Sequence, residues 1–359
     1  MKMTRHLYIH VPFCKTICAY CDFCHFGYQS QQVDLWLEQF AKEIQECDLT
    51  NIETVYLGGG TPTCLDYKQL SRLLNIIDTY VSNPIEYTIE INPESFDIEK
   101  AKLLKEHHIN RASIGLQSSN DIELKALGRK HCFKDVKQTV ACLKTVGIDN
   151  ISLDIMYSIP HETMASLKQT IKDALSLKPK HLSLYSLQIE PGTLFYRKGV
   201  TGLDEDLEAD MYEYIEKELT NDGFVHYEIS NYALEGYQSK HNLGYWEYND
   251  FIGLSLGASG KENGVRYTNT KSFKKYFNGE YREEVIELSK EDQMFEEIMM
   301  SFRTVYGLDL DRFAKRYQIS FFDAFKEPYV KHRDDFFIKD NHLIVKNVEL
   351  LNSLLVDFL

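Results

Sequence analysis

The stretch that decides the fold is LYIHVPFCKTICAYCDFC, residues 7–24. Its first five residues are rich in apolar and β-branched side chains and predict a short β-strand. Four cysteines, Cys14, Cys18, Cys21 and Cys24, follow that strand directly. Enzymes built on parallel strands carry their sites on the loops that follow those strands. The stretch therefore predicts a strand that ends at a sulfur-rich site.

Further apolar runs of the same length alternate with amphipathic helical segments, such as 33–44 and 70–81. This alternation predicts βα units and a parallel sheet. The six predicted strands are 7–11, 54–57, 87–92, 111–116, 151–156 and 181–187. Six strands favour an α/β fold of the (β/α)6 partial TIM-barrel type over a doubly wound sheet, and both place the site at the carboxyl ends of the strands.

The pattern changes after Pro191-Gly192-Thr193. An acidic helical segment is followed by tyrosine-rich, strand-like segments, and the last seventy residues contain helices and a hairpin. We therefore predict three parts. They are a (β/α)6 core at 1–200, a sheet extension at 201–289, and a small C-terminal α+β domain of winged-helix type at 290–359.

Composition excludes several classes of protein. The chain of 359 residues has 40 Lys and Arg against 54 Asp and Glu, a net charge of −14, which disfavours binding to nucleic acid or to anionic membranes. No apolar run approaches the ~20 residues of a membrane span. Residues 1–14 contain no apolar segment typical of a signal peptide. We expect a cytoplasmic protein with reduced thiols.

The first three cysteines have the spacing C-x3-C-x2-C. Three thiolates can hold three irons of a [4Fe–4S] cluster and leave the fourth iron open to a further molecule. The amino and carboxylate groups of S-adenosylmethionine fit that position, and an electron from the cluster can cleave the sulfonium to a 5′-deoxyadenosyl radical. A structural zinc site and a ferredoxin are the alternatives. Cys24 is left open, and the four scattered cysteines are interpreted as inert thiols.

This spacing, with Tyr20 before the third cysteine, resembles the radical S-adenosylmethionine superfamily. Within it, the chain most resembles the oxygen-independent coproporphyrinogen III oxidase group, and the resemblance extends over nearly the whole length. The other matching segments, in chain order, are 8–13, 58–63, 90–94, 113–118, 127–131, 154–160 and 190–193.

The resemblance implies ligands for both cofactors. Cys14, Cys18 and Cys21 would hold the cluster. The residues implied to line S-adenosylmethionine are Tyr8, Tyr20, Gly59, Gly60, Thr61, Glu90, Gln117, Arg129 and Asp154. Their chemistry suits that role, since Glu90 and Asp154 can accept from an ammonium or from ribose hydroxyls and Arg129 can bind a carboxylate. Capping and surface roles are the alternatives, and a glycine triple alone is typical of a tight turn.

The chain departs from the oxidase pattern in two places and from the family pattern in one. Cys24 falls three residues after the third cysteine instead of two, and thirteen residues precede Cys14 where the oxidase has a long extension. Ser158 stands where the family often has glycine. Residues 240–246, KHNLGYW, match the H-N-x-x-Y-W element of the haem-chaperone branch of the family. That resemblance implies His241 as a haem ligand, with a hydrogen-bonded core histidine as the alternative.

The resemblance thus implies a haem chaperone that keeps a radical S-adenosylmethionine core. An oxygen-independent coproporphyrinogen III oxidase and an electron-transfer module are the alternatives. The implied partners are haem, an unidentified haem-acceptor protein for which membrane association is one option, and a flavodoxin-like electron donor, without nucleic acid. Because the chain is acidic overall, anionic partners need a basic patch. The predicted patch is Lys261, Arg266, Lys271, Lys274 and Lys275.

Overall fold

A computed structural model describes residues 5–359. The first four residues of the segment 1–14, which lacks a signal-peptide pattern, lie outside the described residues. Strands and helices alternate through the first half. The strands are β1 (Arg5–Val11), β2 (Phe13–Cys14), β3 (Phe26–Gly27), β4 (Ile52–Gly59), β5 (Glu86–Ile91), β6 (Arg111–Gln117), β7 (Asn150–Tyr157) and β8 (His181–Ser186). The helices are α1 (Ser30–Gln45), α2 (Tyr67–Tyr80), α3 (Ile98–Glu106), α4 (Asp121–Ala126), α5 (Phe133–Thr145), α6 (Met164–Ser176) and α7 (Leu194–Arg197).

All six predicted strands form, each within two residues of its predicted ends. They pair in parallel in the order β1-β4-β5-β6-β7-β8, which is the chain order of the six units. Their carboxyl ends therefore meet at one edge. Leu7 and Ile9 of β1 are fully buried in one apolar core with Trp36 and Phe40 of α1, which explains why the strands are apolar-rich. The predicted α/β fold class is confirmed.

The middle of the chain extends this sheet. Its elements are α8 (Glu205–Asn221), β9 (Val225–Glu228), β10 (Asn231–Ala233), α9 (Lys240–Trp246), β11 (Asp250–Leu254), β12 (Ser259–Glu262), β13 (Val265–Asn269), α10 (Phe273–Phe277) and β14 (Arg282–Glu287). Strands β10 and β9 continue the sheet beyond β8, whereas β11 to β14 continue it beyond β1. The sequence analysis predicted the extension but not that it lies on both edges.

Helix α9 crosses from one edge of the barrel to the other. The chain leaves β10 at Ala233, which pairs with His181 at the start of β8, and enters β11 at Asp250, which pairs with Arg5 at the start of β1. The segment between them must therefore pass across the amino ends of the parallel strands. We call α9 the floor helix, because it closes the end of the barrel opposite the carboxyl edge.

The last seventy residues pack around a core of their own. The elements are α11 (Lys290–Ser301), β15 (Leu308–Asp309), α12 (Leu310–Tyr317), α13 (Phe321–Ala324), α14 (Lys326–Lys331), β16 (Phe336–Lys339), β17 (His342–Val345) and α15 (Leu351–Leu355). A three-stranded sheet, β15-β17-β16, packs with these helices around an aromatic-rich core, as expected for a winged-helix-like unit. Within residues 5–359, no helix is both long and apolar enough to span a membrane.

Candidate functional site

A cavity of about 490 Å³ opens at the carboxyl edge of the barrel. It extends from Ile17 and Phe23, which are exposed at its mouth, to Asn242 on the floor helix. The predicted site residues that line it are Cys14, Cys18, Tyr20, Cys21, Gly59, Gly60, Thr61, Glu90, Gln117, Arg129 and Asp154. Residues far apart in the sequence are thus brought to one cavity, because each lies at or near the end of a parallel strand.

The segment Cys14–His25, which we call the cluster loop, is held at both ends and in its middle. Strand β2 pairs in parallel with β3, so that Phe13 lies beside Phe26 where the loop begins and ends. In the middle, the Ala19 N–H donates to the Leu127 carbonyl at 3.0 Å, and the Ala19 carbonyl accepts from Phe195 N–H at 2.9 Å. The loop is therefore fixed to the barrel through its backbone, and its side chains are left for other contacts.

Three of the four clustered cysteines line the cavity, and Cys24 does not. Cys24 packs against Gly257, where an added Cβ would lie 2.4 Å from the Cys24 Cβ, and its carbonyl accepts a hydrogen bond from His10 at 2.6 Å. Burial raises the pKa of Cys14 to about 11 and that of Cys21 to about 12. These thiols therefore become thiolates only when a metal supplies positive charge. Three cavity-facing thiols fit a cluster with one open iron.

Two buried guanidinium groups line the same cavity. Arg129 donates from Nη2 to the Tyr20 hydroxyl at 2.7 Å, while its buried Nε has no hydrogen-bond partner among the described residues. The buried Nε of Arg111 is likewise unpartnered within residues 5–359. Burying such groups is costly unless an acceptor satisfies them. The cavity is therefore suited to a ligand that carries an anionic group such as a carboxylate.

Two partly buried carboxyl groups face these cations. Glu90 accepts from the Tyr56 hydroxyl at 3.0 Å, and burial, with a further contribution from Asp154, raises the pKa of Glu90 to about 8. Asp154 accepts from Ser113 Oγ at 2.9 Å, and burial raises its pKa as well. A cationic ligand would favour the ionised forms of both groups. The cavity therefore offers acceptors for an ammonium and a donor for a carboxylate.

The glycines at the end of β4 are required by contacts within the protein. Gly59 has φ +104°, and a Cβ there would lie 2.6 Å from the His10 ring. A Cβ on Gly60 would lie 2.6 Å from the Phe13 carbonyl oxygen. Close packing of β4 on β1 thus explains both glycines without a ligand, although both residues also line the cavity.

Two non-glycine residues at strand ends have left-handed backbones. Gln117, at the end of β6, has φ 61° and lines the cavity. Ser158, which stands where the family often has glycine, has φ 60°, and its hydroxyl donates to Glu208 at 2.7 Å. That conformation explains why glycine is favoured there. The serine is buried and held by its carboxylate partner.

Tyr8 and His241 do not line the cavity. The Tyr8 hydroxyl donates to His10 Nδ1 at 3.0 Å, and His10 donates from Nε2 to the carbonyl of Cys24. Tyr8 thus supports the end of the cluster loop through His10. These two hydrogen bonds satisfy the Tyr8 hydroxyl and both ring nitrogens of His10 inside the protein.

His241 lies on the floor helix with 1% of its surface exposed, and both ring nitrogens are hydrogen-bonded. Nδ1 and the Thr54 hydroxyl are 2.7 Å apart, and Nε2 and the Tyr245 hydroxyl are 2.7 Å apart. Burial holds the pKa of His241 well below 6.5. In this arrangement neither nitrogen is open to a metal, so iron ligation requires Tyr245 to release Nε2.

The floor helix is fixed to the barrel by a carboxylate. Glu86, at the start of β5, accepts from the backbone N–H of Lys240 at 3.0 Å and from that of His241 at 2.9 Å. These donors belong to the first turn of the helix and would otherwise be unsatisfied. On the opposite side, Thr54 bridges His241 to His6 Nδ1 at 2.7 Å. The histidine of the H-N-x-x-Y-W segment is therefore hydrogen-bonded at its backbone N–H and at both ring nitrogens inside the barrel.

Several cavity residues were not predicted from the sequence. They include His25, Tyr56, Arg111, Tyr185 and Asn242. The alternation of side chains along a strand could have indicated Arg111. Arg111, Ser113 and Gln117 share one face of β6, and that face lines the cavity. The position of Asn242 depends on the crossing of the floor helix, which no local pattern indicates.

The predicted basic patch is wrong. Lys261 is buried, with Nζ 3.2 Å from Asp250. Arg266 pairs with Glu296 at 2.6 Å, and Lys275 pairs with Glu283 at 2.8 Å. Asp250 and Glu283 lie on strands of the extension and Glu296 lies on α11, so the fold brings an acidic side chain beside each of these cations, and nearness in sequence did not produce a patch. Lys271 and Lys274 remain exposed.

Two family models match the chain. Residues 8–174 match the radical SAM superfamily, and residues 288–334 match the HemN C-terminal domain. The first match contains the cluster loop and the cavity-lining ends of β4 to β7. The second covers α11 and the elements that follow it as far as α14.

Curated relatives match nearly the whole chain. It is 36% identical to the heme chaperone HemW of Lactococcus lactis, over 100% of this chain and 98% of that protein. It is 38% identical to HemW of Bacillus subtilis, over 87% of each. The solved structure of coproporphyrinogen III oxidase (HemN) from Escherichia coli, a radical SAM enzyme, has a TM-score of 0.86 and 20% identity, and the match covers 99% of this chain and 90% of that one. This last likeness shows a shared fold.

Proposed function

This chain belongs to the HemW family of radical SAM proteins, and from that membership we propose that it is a haem chaperone, which binds haem and delivers it to a haem-requiring acceptor protein. The observation that carries the proposal is the full-length similarity to curated chaperones, at 36% identity over the whole chain. The three cavity-facing cysteines support it, because they agree with the radical SAM domain at 8–174.

The radical SAM domain implies a [4Fe–4S] cluster and S-adenosylmethionine. In our proposal Cys14, Cys18 and Cys21 hold the cluster as thiolates. Arg129 binds the carboxylate of S-adenosylmethionine, and Glu90 accepts from its ammonium once the carboxyl group has lost its proton. The other predicted contacts are Tyr8, Tyr20, Gly59, Gly60, Thr61, Gln117 and Asp154. When bound, the cluster supplies the electron that can cleave the sulfonium.

We propose a role for each of the three parts of the chain, and a cellular compartment for the protein. Residues 1–200 form the cofactor core, 201–289 contribute the sheet extension and the floor helix, and 290–359 form the C-terminal winged-helix-like part. We place the protein in the cytoplasm, with a flavodoxin-like protein as electron donor and no nucleic-acid partner. The haem acceptor is a separate protein, for which membrane association is one option. His241 stays a predicted haem ligand, on condition that Tyr245 gives up its hydrogen bond to the Nε2 of His241.

Oxygen-independent coproporphyrinogen III oxidase activity is the second candidate, since the HemN fold is shared over 99% of this chain. In that reaction each converted propionate loses a hydrogen atom to the radical and then carbon dioxide and one electron, which an acceptor takes up, and so becomes a vinyl group. A cavity that binds S-adenosylmethionine would serve either function, so cofactor binding cannot separate them. Haem binding and substrate turnover can.

The test uses anaerobically reconstituted full-length protein. We expect stoichiometric haem binding, transfer of haem to an apo-acceptor, and no conversion of coproporphyrinogen III. Efficient conversion of coproporphyrinogen III without haem transfer would contradict the chaperone proposal and support oxidase activity instead. In the same samples, S-adenosylmethionine should alter the EPR spectrum of the reduced cluster, and Glu90→Ala should weaken that change. Glu99→Ala, an exposed glutamate paired with Lys102, is the matched control. An unchanged spectrum at saturating cofactor would contradict the assigned cavity.

A further inference from the structure

We propose that His25, at the mouth of the cavity, is the axial ligand that first takes the haem iron. The inference rests on the proposed haem-chaperone function and identifies the residue that receives the cargo. It follows from the hydrogen bond that fixes the tautomer of the His25 ring, the place of the ring in the cavity wall and the surface around it.

A backbone hydrogen bond fixes the tautomer of His25. Its Nδ1 lies 2.6 Å from the carbonyl oxygen of Phe23. A carbonyl can only accept, so Nδ1 carries the hydrogen and Nε2 keeps its lone pair. Among the described residues, Nε2 has no hydrogen-bond partner. Histidines that ligate metals commonly donate their other ring N–H to a carbonyl in this way, which orients the ring.

His25 also has the required position. Of the twelve histidines in the sequence, it is the one that lines the cavity within residues 5–359. The ring is half-buried at the end of the cluster loop. An incoming iron can therefore approach Nε2 from the mouth without displacing any side chain that is bonded to this nitrogen in the described structure.

The surface around His25 suits a porphyrin. Phe23 and Ile17 line the same mouth with 65% and 52% of their surfaces exposed, although both are large apolar side chains. Tyr185 lies in the cavity wall and is also exposed. Exposed apolar groups at the rim of a concave surface are typical of binding sites. A flat apolar macrocycle would cover these side chains. The acidic surface elsewhere would not bind it, because haem carries anionic propionates.

Two lysines near the cluster loop, neither of them in the cavity lining, are the cations that we propose to pair with the two haem propionates. Burial raises the pKa of Cys24, and the charge of Lys271 partly opposes that shift, which places Lys271 near this end of the loop. Lys15 belongs to the loop itself, with its ammonium 5.8 Å from the centre of the Tyr28 ring. Neither lysine takes part in an ion pair among the described residues. Both are therefore free to pair with a carboxylate ligand.

The deciding experiment is a haem titration of reconstituted full-length protein, followed by the Soret band and by EPR of ferric haem. We expect one haem for each wild-type chain with a histidine-type spectrum. His25→Ala should weaken binding at least tenfold and shift the band, and added imidazole should restore the spectrum. His25→Met should give a different, sulfur-ligated spectrum, because a thioether can replace the imidazole at iron.

His342→Ala is the matched control. The Nδ1 of His342 lies 2.9 Å from the carbonyl of Asp340, two residues earlier, as His25 is bonded to Phe23, but His342 lies in the C-terminal hairpin, away from the cavity. This variant should leave binding unchanged. Because His25 Nδ1 is 3.7 Å from Cys21 Sγ, the His25 comparison is repeated in the cluster-free Cys14→Ser background. A loss of binding there cannot come from a loss of cluster.

The outcomes separate this inference from the proposed function. Wild-type affinity and an unchanged Soret band in His25→Ala would overturn His25 as ligand while haem binding itself stands. A tenfold loss in His241→Ala, with none in His25→Ala, would assign the iron to the floor helix instead. Absence of haem binding by the wild-type protein would remove the chaperone proposal, and the inference with it.

Discussion

His25 lines the mouth of the cavity, whereas His241 is buried on the floor helix outside the cavity lining, and their imidazole rings are bonded in opposite ways. At the mouth, the Nδ1 of His25 is tied to a backbone carbonyl and its Nε2 has no partner among the described residues. At the floor, both nitrogens of His241 are bonded to hydroxyl groups inside the barrel. The imidazole of the family motif is thus hydrogen-bonded at both nitrogens, whereas that of His25 keeps one nitrogen without a partner among the described residues.

The difference extends to the surroundings of each ring. The cluster loop is held by its backbone and presents exposed apolar side chains, so changes to those side chains should affect binding more than folding. The floor helix buries His241 and Gly244 and is hydrogen-bonded to Glu86 and Thr54, so changes at its buried positions should affect folding first. The comparison teaches that position in the barrel, and not motif membership, decides what each residue can do. Four predictions test it.

The largest effect is expected at the mouth. Serine in place of Cys14, Cys18 or Cys21 should abolish the [4Fe–4S] cluster, because each thiolate holds one iron and no other thiol faces the cavity among the described residues. Iron and acid-labile sulfide content measure this directly. Cys24→Ser should keep the cluster, since that side chain packs against Gly257. A full cluster in any of the first three variants would contradict the assignment.

At the floor, Gly244→Ala should destabilise the protein by about 2–3 kcal/mol, as is typical of overpacking a filled core. A Cβ at this position would lie 2.2 Å from His6 Nε2. The same change in an open helix would stabilise it by up to about 1 kcal/mol. Urea unfolding gives the free energies, and Gly202→Ala, with no atom within 4 Å of the new Cβ, is the control. A stabilised Gly244→Ala variant would show that the floor is loosely packed.

The floor should also be sensitive to acid through His6. Burial lowers the pKa of His6 to about 4, so between pH 6.5 and about 4 the unfolded chain binds a proton that the folded protein does not. Unfolding free energy is therefore lost as pH falls, by about 2 kcal/mol from pH 7 to pH 5 for this group. His6→Gln should remove that part of the pH dependence in urea unfolding measured at both pH values.

Glu43 provides a control of opposite sign. Burial raises the pKa of Glu43 to about 7, so from pH 7 down to about 4.5 the folded protein holds a proton that the unfolded chain does not. This group adds stability as pH falls, and Glu43→Gln should remove that gain. If His6→Gln and Glu43→Gln changed the pH dependence of the unfolding free energy in the same direction, the buried neutral His6 would not be the cause of the loss of stability in acid.

The smallest effect on stability is expected from Phe23→Ala at the mouth. Because 65% of the Phe23 surface is exposed, the free energy of unfolding should change by no more than about 0.5 kcal/mol. Haem affinity should nevertheless fall severalfold, because the side chain is proposed to contact the macrocycle. Parallel urea unfolding and haem titration check both parts. A stable variant with unchanged affinity would remove Phe23 from the docking surface.

Local patterns were sufficient for the core of the fold. The six parallel strands were predicted within two residues because short apolar runs and 3.6-residue periodicity are set by burial against the helices. The cysteine spacing, with the strand before it, located the site at the carboxyl edge. It could not show that Cys24 turns away, because that depends on Gly257 of the sheet extension. Nor could it show that Lys261 is buried beside Asp250.

The sequence by itself thus determined the βα units, the grouping of three thiols after the first strand and the motif residues at strand ends, since all of these are short-range patterns. Only the tertiary structure decided that His25 lines the cavity while His241 does not, and that one ring nitrogen of His25 has no partner among the described residues. The crossing of the floor helix joins the start of β8 to the start of β1, and it brings His241 against Thr54 of β4. Tyr245 lies four residues after His241 on the same helix, but Thr54 comes from a distant strand, and such a partner has no signature in the residues around the histidine.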